Sequence, residues 1–460
     1  MNTTLAVVKG EKPAYVATRN ACKLCSPLGA CLAIRGIEGA LPFLHGSQGC
    51  ATYMRRYLIS HFKEPMDIAA SNFSETATIF GGGDNLRMGL RNVTQQYHPS
   101  LIGVATTCLC ETIGEDVALL LREYEESLGE RRKDTPALVH ISTPSYRGTH
   151  MDGFHAAVRA VASTLAEEGA HGDHINVFPG MISPADLRYL KEIFDDFGAA
   201  IILLPDYSET LDGPAAAHYQ KIPAGGTSLA AIRSTGCAQA TLEFGRTIGA
   251  SASAGVLLSE RFGVPCHHLG LPLGVREADR FFEVVETLTG RATPQRHQLE
   301  RGRLIDAYVD GHKYLFGKRA VVYGEEDLVV GLAAFLSEIG VVPVLCASGG
   351  ESGALAHAVQ QVTQGCAGEV VVREGADFMS IAEEAARLAP DFLIGNSKGQ
   401  ALARQLGIPL VRVGFPIHDR LGGPRILHLG YRGTQQLFDR VVNTLIERKQ
   451  EASPVGYSYM

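Results

Sequence analysis

The sequence has no tryptophan, no concentrated basic block and no apolar run long enough to cross a membrane. Its longest apolar stretches, such as residues 199–205, are strand-sized, well short of the ~20 residues a membrane helix requires. The N-terminal stretch lacks a basic segment followed by an apolar one, so no secretory signal is read and a cytoplasmic, reducing location is expected. Lysine and arginine total 42 against 49 acidic residues, a net charge of −7, with only short basic pieces such as Arg131-Arg132-Lys133. That balance excludes a nucleic-acid binder held by a basic face. No Gly-x4-Gly-Lys-Ser/Thr loop occurs, which excludes nucleotide binding by that device. Glycine is plentiful at 51 residues but not periodic, so the chain is not collagen-like.

What is present points to a large globular chain. Its 460 residues are 45% hydrophobic, enough to bury cores for two to four domains of roughly 100–200 residues each. Short Val/Ile/Leu-rich runs recur at 101–105, 137–141, 174–178, 199–204, 320–323, 341–345, 369–372, 392–394 and 410–413. They do not alternate with polar residues, as expected of parallel strands covered on both faces. Helical spacing fills the gaps, for example Phe154, Ala157, Val158, Val161 and Leu165, or Leu328, Val329, Leu332, Phe335 and Leu336. Alternating strand and helix predicts an α/β fold of three Rossmann-like, doubly wound parallel-sheet domains. Polar or charged stretches at 167–173 and 291–303 set the expected boundaries at residues 1–170, 171–303 and 304–460. Ligands of such sheets lie at the carboxyl ends of strands.

Ten cysteines are too sparse for a disulfide scaffold and, in a reducing compartment, are free to bind metal. Cys25, Cys50 and Cys108 stand in glycine-containing turns or at a strand end, where backbone can approach an inorganic group. Thiolate is the natural ligand of iron–sulfur clusters, yet the spacing matches neither a ferredoxin nor a zinc ribbon. On residue chemistry alone, three ordinary core thiols are an equal reading. Cys22-Lys23-Leu24-Cys25 is a CxxC with no second pair, which speaks against a zinc ribbon. The other cysteines, Cys266 among them, read as core filling. His45 reads as a donor near Cys50 or as a partner of backbone. His267-His268 has no acidic neighbour in sequence and reads as surface or core. Gly81-Gly82-Gly83-Asp84 reads as a helix-capping turn.

These residues carry a resemblance. Cys25-Ser26-Pro27-Leu28-Gly29-Ala30, the segment 41–50 and Thr106-Thr107-Cys108 resemble the cluster-ligand motifs of the β-type subunit of the nitrogenase component 1 superfamily. Further ordered matches include 61–65, Phe80-Gly81-Gly82, Thr143-Pro144-Ser145, 204–208, 224–227, Gly395-Asn396-Ser397, 414–420 and 430–433, spanning most of the chain. The resemblance implies an α-type partner in an α2β2 heterotetramer. It implies an eight-iron, seven-sulfide P-cluster at the α/β interface, with Cys25, Cys50 and Cys108 as this chain's ligands. Ser145 matches a hydroxyl ligand of the oxidised cluster, with a plain turn residue as the alternative. Tyr53 matches a position beside the cluster, and Phe80 matches the docking face of an ATP-dependent iron protein. For both, core packing or a chance exposed aromatic is the alternative. The family's active-site cofactor belongs to the α-type chain, so no catalytic residue is expected here. Two functions are in view. One is the β-type half of a nitrogenase-like reductase, acting on dinitrogen, a methylthio compound or another substrate. The other is the N-type scaffold for iron–molybdenum cofactor biosynthesis, with a simpler four-iron, four-sulfide cluster. Residues 180–187 read closer to the scaffold.

Overall fold

In the computed structural model, which describes residues 7–9, 20–215, 217–366 and 368–454, the chain builds three parallel sheets wrapped by helices. The first sheet places Ala40–His45 between Ala69–Ala70 and Leu101–Thr106, with Ala137–Ile141 beyond. The second repeats that order with Ile175–Phe178 between Ile201–Leu203 and Ala240–Phe244, and Cys266–Leu269 at the edge. The third centres on Arg319–Gly324. Val342–Ser348 and Val370–Arg373 step out on one side, Phe392–Gly395 and Leu410–Arg412 on the other. Val7–Lys9, expected in the first unit, instead pairs with Val370, Val371 and Val372 and extends the third sheet. An edge strand needs only open backbone groups to pair with, and Val370–Arg373 offers them.

The expected strands form, and most of their residues are buried because helices cover both faces, Ala137–Ile141 at a sheet edge being partly open. Five strands lie outside the runs expected from sequence: Val7–Lys9, Ala40–His45, Ala69–Ala70, Ala240–Phe244 and Cys266–Leu269. The first and third are only three and two residues long, and the others carry Pro42, Thr241 and Glu243, or His267 and His268, which interrupt the apolar signal. The helix His150–Leu165 opens on a capping box, in which Thr149 and Asp152 satisfy each other's amides, and buries the expected stripe. It crosses Ser26–Arg35 in direct backbone contact. A Cβ on Gly29 would lie 1.6 Å from the His150 carbonyl oxygen, and one on Gly153 would lie 1.8 Å from that of Ser26. Only glycine fits both positions.

A polar clasp joins the second sheet's domain to the C-terminal segment. Ser183 and Asp186 form the capping box of Pro184–Asp196, and Ser183 Oγ also donates to the Ile426 carbonyl at 2.6 Å. Asp186 is fully buried. Its Oδ1 accepts the amides of His428 at 2.7 Å and Leu429 at 3.0 Å, and its Oδ2 faces His428 Nδ1 at 3.0 Å. Burial by itself would raise this carboxyl. The charge of His428 and these hydrogen bonds outweigh it and hold Asp186 below the usual carboxylate range. Residues 180–187, expected from sequence to read closer to the scaffold, therefore have a structural task.

Replacing Asp186 with Ala should lower unfolding stability by about 3–5 kcal/mol, because a buried partner is left uncompensated. Urea denaturation of the full chain measures this. A depressed pKa places the Asp186 contribution fully above its unfolded pKa of about 4. It should be lost as pH falls through the lower folded value, a loss absent from the Asp186→Ala chain.

Candidate functional site

Three neighbouring strands of the first sheet end at one edge, and their following turns carry candidate ligands. Ala40–His45 leads through Gly46 and Ser47 into Gln48–Phe62, with Cys50 in its first turn. Leu101–Thr106 leads through Thr107 into Cys108–Ile113, with Cys108 as its first residue. Ala137–Ile141 leads into the turn that holds Ser145. The gap between the first two strands is the switch point of the sheet order, where open α/β sheets present their ligand crevice. Cys25 arrives from a fourth direction. It is the N-cap of Ser26–Arg35, and its thiol interacts electrostatically with those of Cys108 and Cys50.

The turns are tied to one another. The Thr107 amide and hydroxyl both donate to the His45 carbonyl, at 3.2 and 3.1 Å. A Cβ on Gly46, whose φ is +152°, would sit 1.9 Å from Thr107 Oγ1, so glycine permits this closeness. Thr143 donates its amide to Thr106 Oγ1 at 2.8 Å and its hydroxyl to the Thr106 carbonyl at 2.7 Å, fixing the Ser145 turn beside the Cys108 turn. Ser145 is half-buried.

Cys25 and Cys108 are exposed and Cys50 is half-buried; none forms a disulfide. Burial pushes the Cys25 and Cys50 thiols up, and the charge of Cys108 adds to both. Cys50 also senses Cys25, so the three sulfurs share one patch. Three adjacent thiolates repel unless a cation lies among them, and the ends of Ser26–Arg35 and Gln48–Phe62 supply only partial positive charge. This donor set suits a cationic, thiophilic metal group. Cys22, in contrast, is buried, and burial together with Glu325 pushes its thiol up to about 12. The CxxC therefore contributes one accessible sulfur.

Residues far away in sequence brace Cys25. Lys398 Nζ donates to the carbonyls of Ala21 at 3.0 Å and Lys23 at 3.4 Å. The Leu24 amide donates to His150 Nδ1 at 3.3 Å, and His150 Nε2 meets Glu325 Oε1 at 3.1 Å. No motif marks Lys398, His150 or Glu325, because each works through contacts across the chain that only folding creates. His45 is held by Ser71 and Glu115. It is fully buried, with Nδ1 on Ser71 Oγ at 3.0 Å and Nε2 on Glu115 Oε2 at 2.7 Å.

Tyr53 and Phe80 are not in the core; they are 67% and 83% exposed. Tyr53 follows Cys50 by three positions and so shares its helix face. Phe80 ends Glu75–Phe80, beside Ile79, itself 74% exposed. Gly81 and Gly82 then cap that helix and the next, Gly83–Tyr97. The Gly82 amide donates to Glu115 Oε1, while Oε2 of the same carboxylate holds His45. Glu115 thus joins the Phe80 turn to the strand that delivers Cys50. No helix among the described residues is long and apolar enough to cross a membrane.

Known proteins match this architecture closely. The family model of nitrogenase component 1 type oxidoreductases matches residues 25–446. The nitrogenase molybdenum-iron protein beta chain of Clostridium pasteurianum is 36% identical over 434 residues, covering 93% of each chain. That of Methanothermobacter thermautotrophicus is 37% identical over 437 residues, covering 93% of this chain and 94% of its own. A solved structure, nitrogenase Cp1 at pH 6.5, superposes with a TM-score of 0.92 at 33% identity over 99% of both chains. The α/β fold of three parallel sheets, the ordered cysteine turns and these matches agree: the chain belongs to the nitrogenase component 1 oxidoreductase family, as a β-type subunit.

Proposed function

We propose that this chain is the β-type half of a nitrogenase-like reductase, and that Cys25, Cys50 and Cys108 hold one side of a P-cluster completed by a homologous α-type subunit. The observation that carries this reading is the convergence of three accessible thiols, from three separate segments, onto one carboxyl edge. Three protein sulfurs on an exposed patch are half a ligand set, which suits a group shared across an interface. When bound, such a cluster supplies one-electron redox chemistry between an ATP-dependent iron protein and the cofactor of the α-type partner.

This chain's own residues have definable tasks in that scheme. Gly46 and Thr107 hold the Cys50 and Cys108 turns together, and Lys398 and His150 fix the backbone on either side of Cys25. The Ser145 hydroxyl is an oxygen donor suited to oxidised, harder iron. Ile79 and Phe80 offer an exposed apolar tip for the iron protein, and Tyr53 shares the face of Cys50. The chain assembles with its partner as α2β2.

Changing Cys50 to Ala should deplete iron in the anaerobically purified α/β complex and weaken subunit pairing, since ligands from both chains stitch the interface. Elemental analysis with native mass measurement tests it; full iron content in an intact tetramer overturns the ligand assignment. Assay of the complex with its iron protein and ATP separates reductase from scaffold. Turnover of dinitrogen, acetylene or a methylthio compound is expected, and its absence from an iron-loaded complex favours the scaffold.

Phe80→Ala should leave iron content unchanged and raise the iron-protein concentration needed for half-maximal turnover by about 5–10-fold, as loss of a buried aromatic anchor does at an interface. An unchanged concentration dependence removes Phe80 from the docking face.

A further inference from the structure

The second sheet carries a cluster that the sequence does not announce. His267-His268 has no acid beside it in the chain, but the parallel register brings one across. Glu243 on Ala240–Phe244 stands opposite His268 on the edge strand Cys266–Leu269. Cys266 and His268 are two positions apart on that strand and so face the same side. Cys266 Sγ lies 3.5 Å from His268 Nε2, and Glu243 Oε2 lies 3.5 Å from His268 Nδ1. One ligand atom from each residue falls within 4.8 Å of the other two.

We propose that Glu243, Cys266 and His268 form a binding site for one divalent cation of the zinc class. The donor set is a thiol, an imidazole and a carboxylate, the mixture that borderline-soft cations prefer. The fourth position of a tetrahedral ion is open to water, because the His268 side chain is 40% exposed while Glu243 is buried. Glu243 is aimed by surrounding donors, as metal-ligating carboxylates commonly are. Its Oε1 accepts the amides of Ala254 at 3.0 Å and Gly255 at 3.4 Å, and the Ser253 hydroxyl donates to Oε2.

Gly255 provides the space. A Cβ there would lie 2.4 Å from Cys266 Sγ and 3.1 Å from Glu243 Oε2, so any other residue would push into the ligand pair. Without a cation, burial and the Glu243 charge push the Cys266 thiol up to about 12. Binding therefore exchanges the thiol proton for a sulfur–metal bond and releases one proton to buffer, with no redox change. The ion would fasten the edge strand to its neighbour and to the helix Ala254–Phe262.

The test uses zinc itself on the anaerobic α/β complex, where iron content reports whether Cys25, Cys50 and Cys108 are occupied. After zinc is added and the complex is dialysed against a competing chelator, elemental analysis should find one zinc per β-type chain. Cys266→Ser and His268→Gln should each weaken binding by tenfold or more with iron unchanged. His268 is partly exposed, so the second variant tests the site without threatening the fold. If the complex holds no iron, the titration is run with cobalt(II) on the full chain with Cys25, Cys50 and Cys108 changed to Ser. A thiolate-to-cobalt absorption band that disappears in Cys266→Ser supports the site whatever becomes of the cluster reading. Zinc or cobalt uptake that is absent, or equal in wild type and both variants, overturns it.

Discussion

In the interior, backbone meets backbone where Ser26–Arg35 crosses His150–Leu165 at Gly29 and Gly153, leaving no room for a side chain at either glycine. The first helix supplies the N-cap Cys25; the second carries His150, whose ring accepts the Leu24 amide. A methyl group at either glycine would drive the helices apart and carry Cys25 away from the sheet edge. The geometry of the sulfur patch thus rests on the absence of two side chains. The remaining supports, Thr107 on the His45 carbonyl and Thr143 on Thr106, bind strand ends that the parallel sheet already brings to one edge.

Charge explains why that patch is accessible. A buried lone thiol such as Cys22 keeps its proton. The charge of Cys108 raises the thiols of Cys25 and Cys50, and Cys25 adds to Cys50, a grouping unfavourable as bare thiolates and favourable around a cation. Tyr53, on the helix face of Cys50, and Ile79 and Phe80 at the end of their own helix are exposed as well, large apolar side chains of the kind that mark interaction surfaces. Asp186 and Glu243 differ in what faces them. Both are buried carboxylates that accept two amides, but Asp186 meets the buried His428, whereas Glu243 also faces a half-exposed His268 that neighbours Cys266.

Much of the fold was legible because buried parallel strands leave uninterrupted apolar runs. Three of the strands without such a run carry polar residues that have work to do. Ala40–His45 ends in the histidine that Glu115 and Ser71 hold, and Ala240–Phe244 and Cys266–Leu269 carry Glu243, Cys266 and His268. Val7–Lys9 was assigned to the nearest unit in sequence, since no local pattern records which distant edge a short strand joins.

The sequence by itself determined the alternation of strand and helix, the ordered cysteine turns, and through them the family. Those are local properties, written in apolar spacing and in short motifs. Tertiary structure decided which groups meet. It turned His45 inward onto Glu115, brought Lys398 and Glu325 to the segment around Cys25, exposed Tyr53 and Phe80, and set Glu243 across from His268. Each of these contacts spans at least 25 residues or depends on burial. Strand register and helix crossing create them, and neither is encoded in a neighbouring residue.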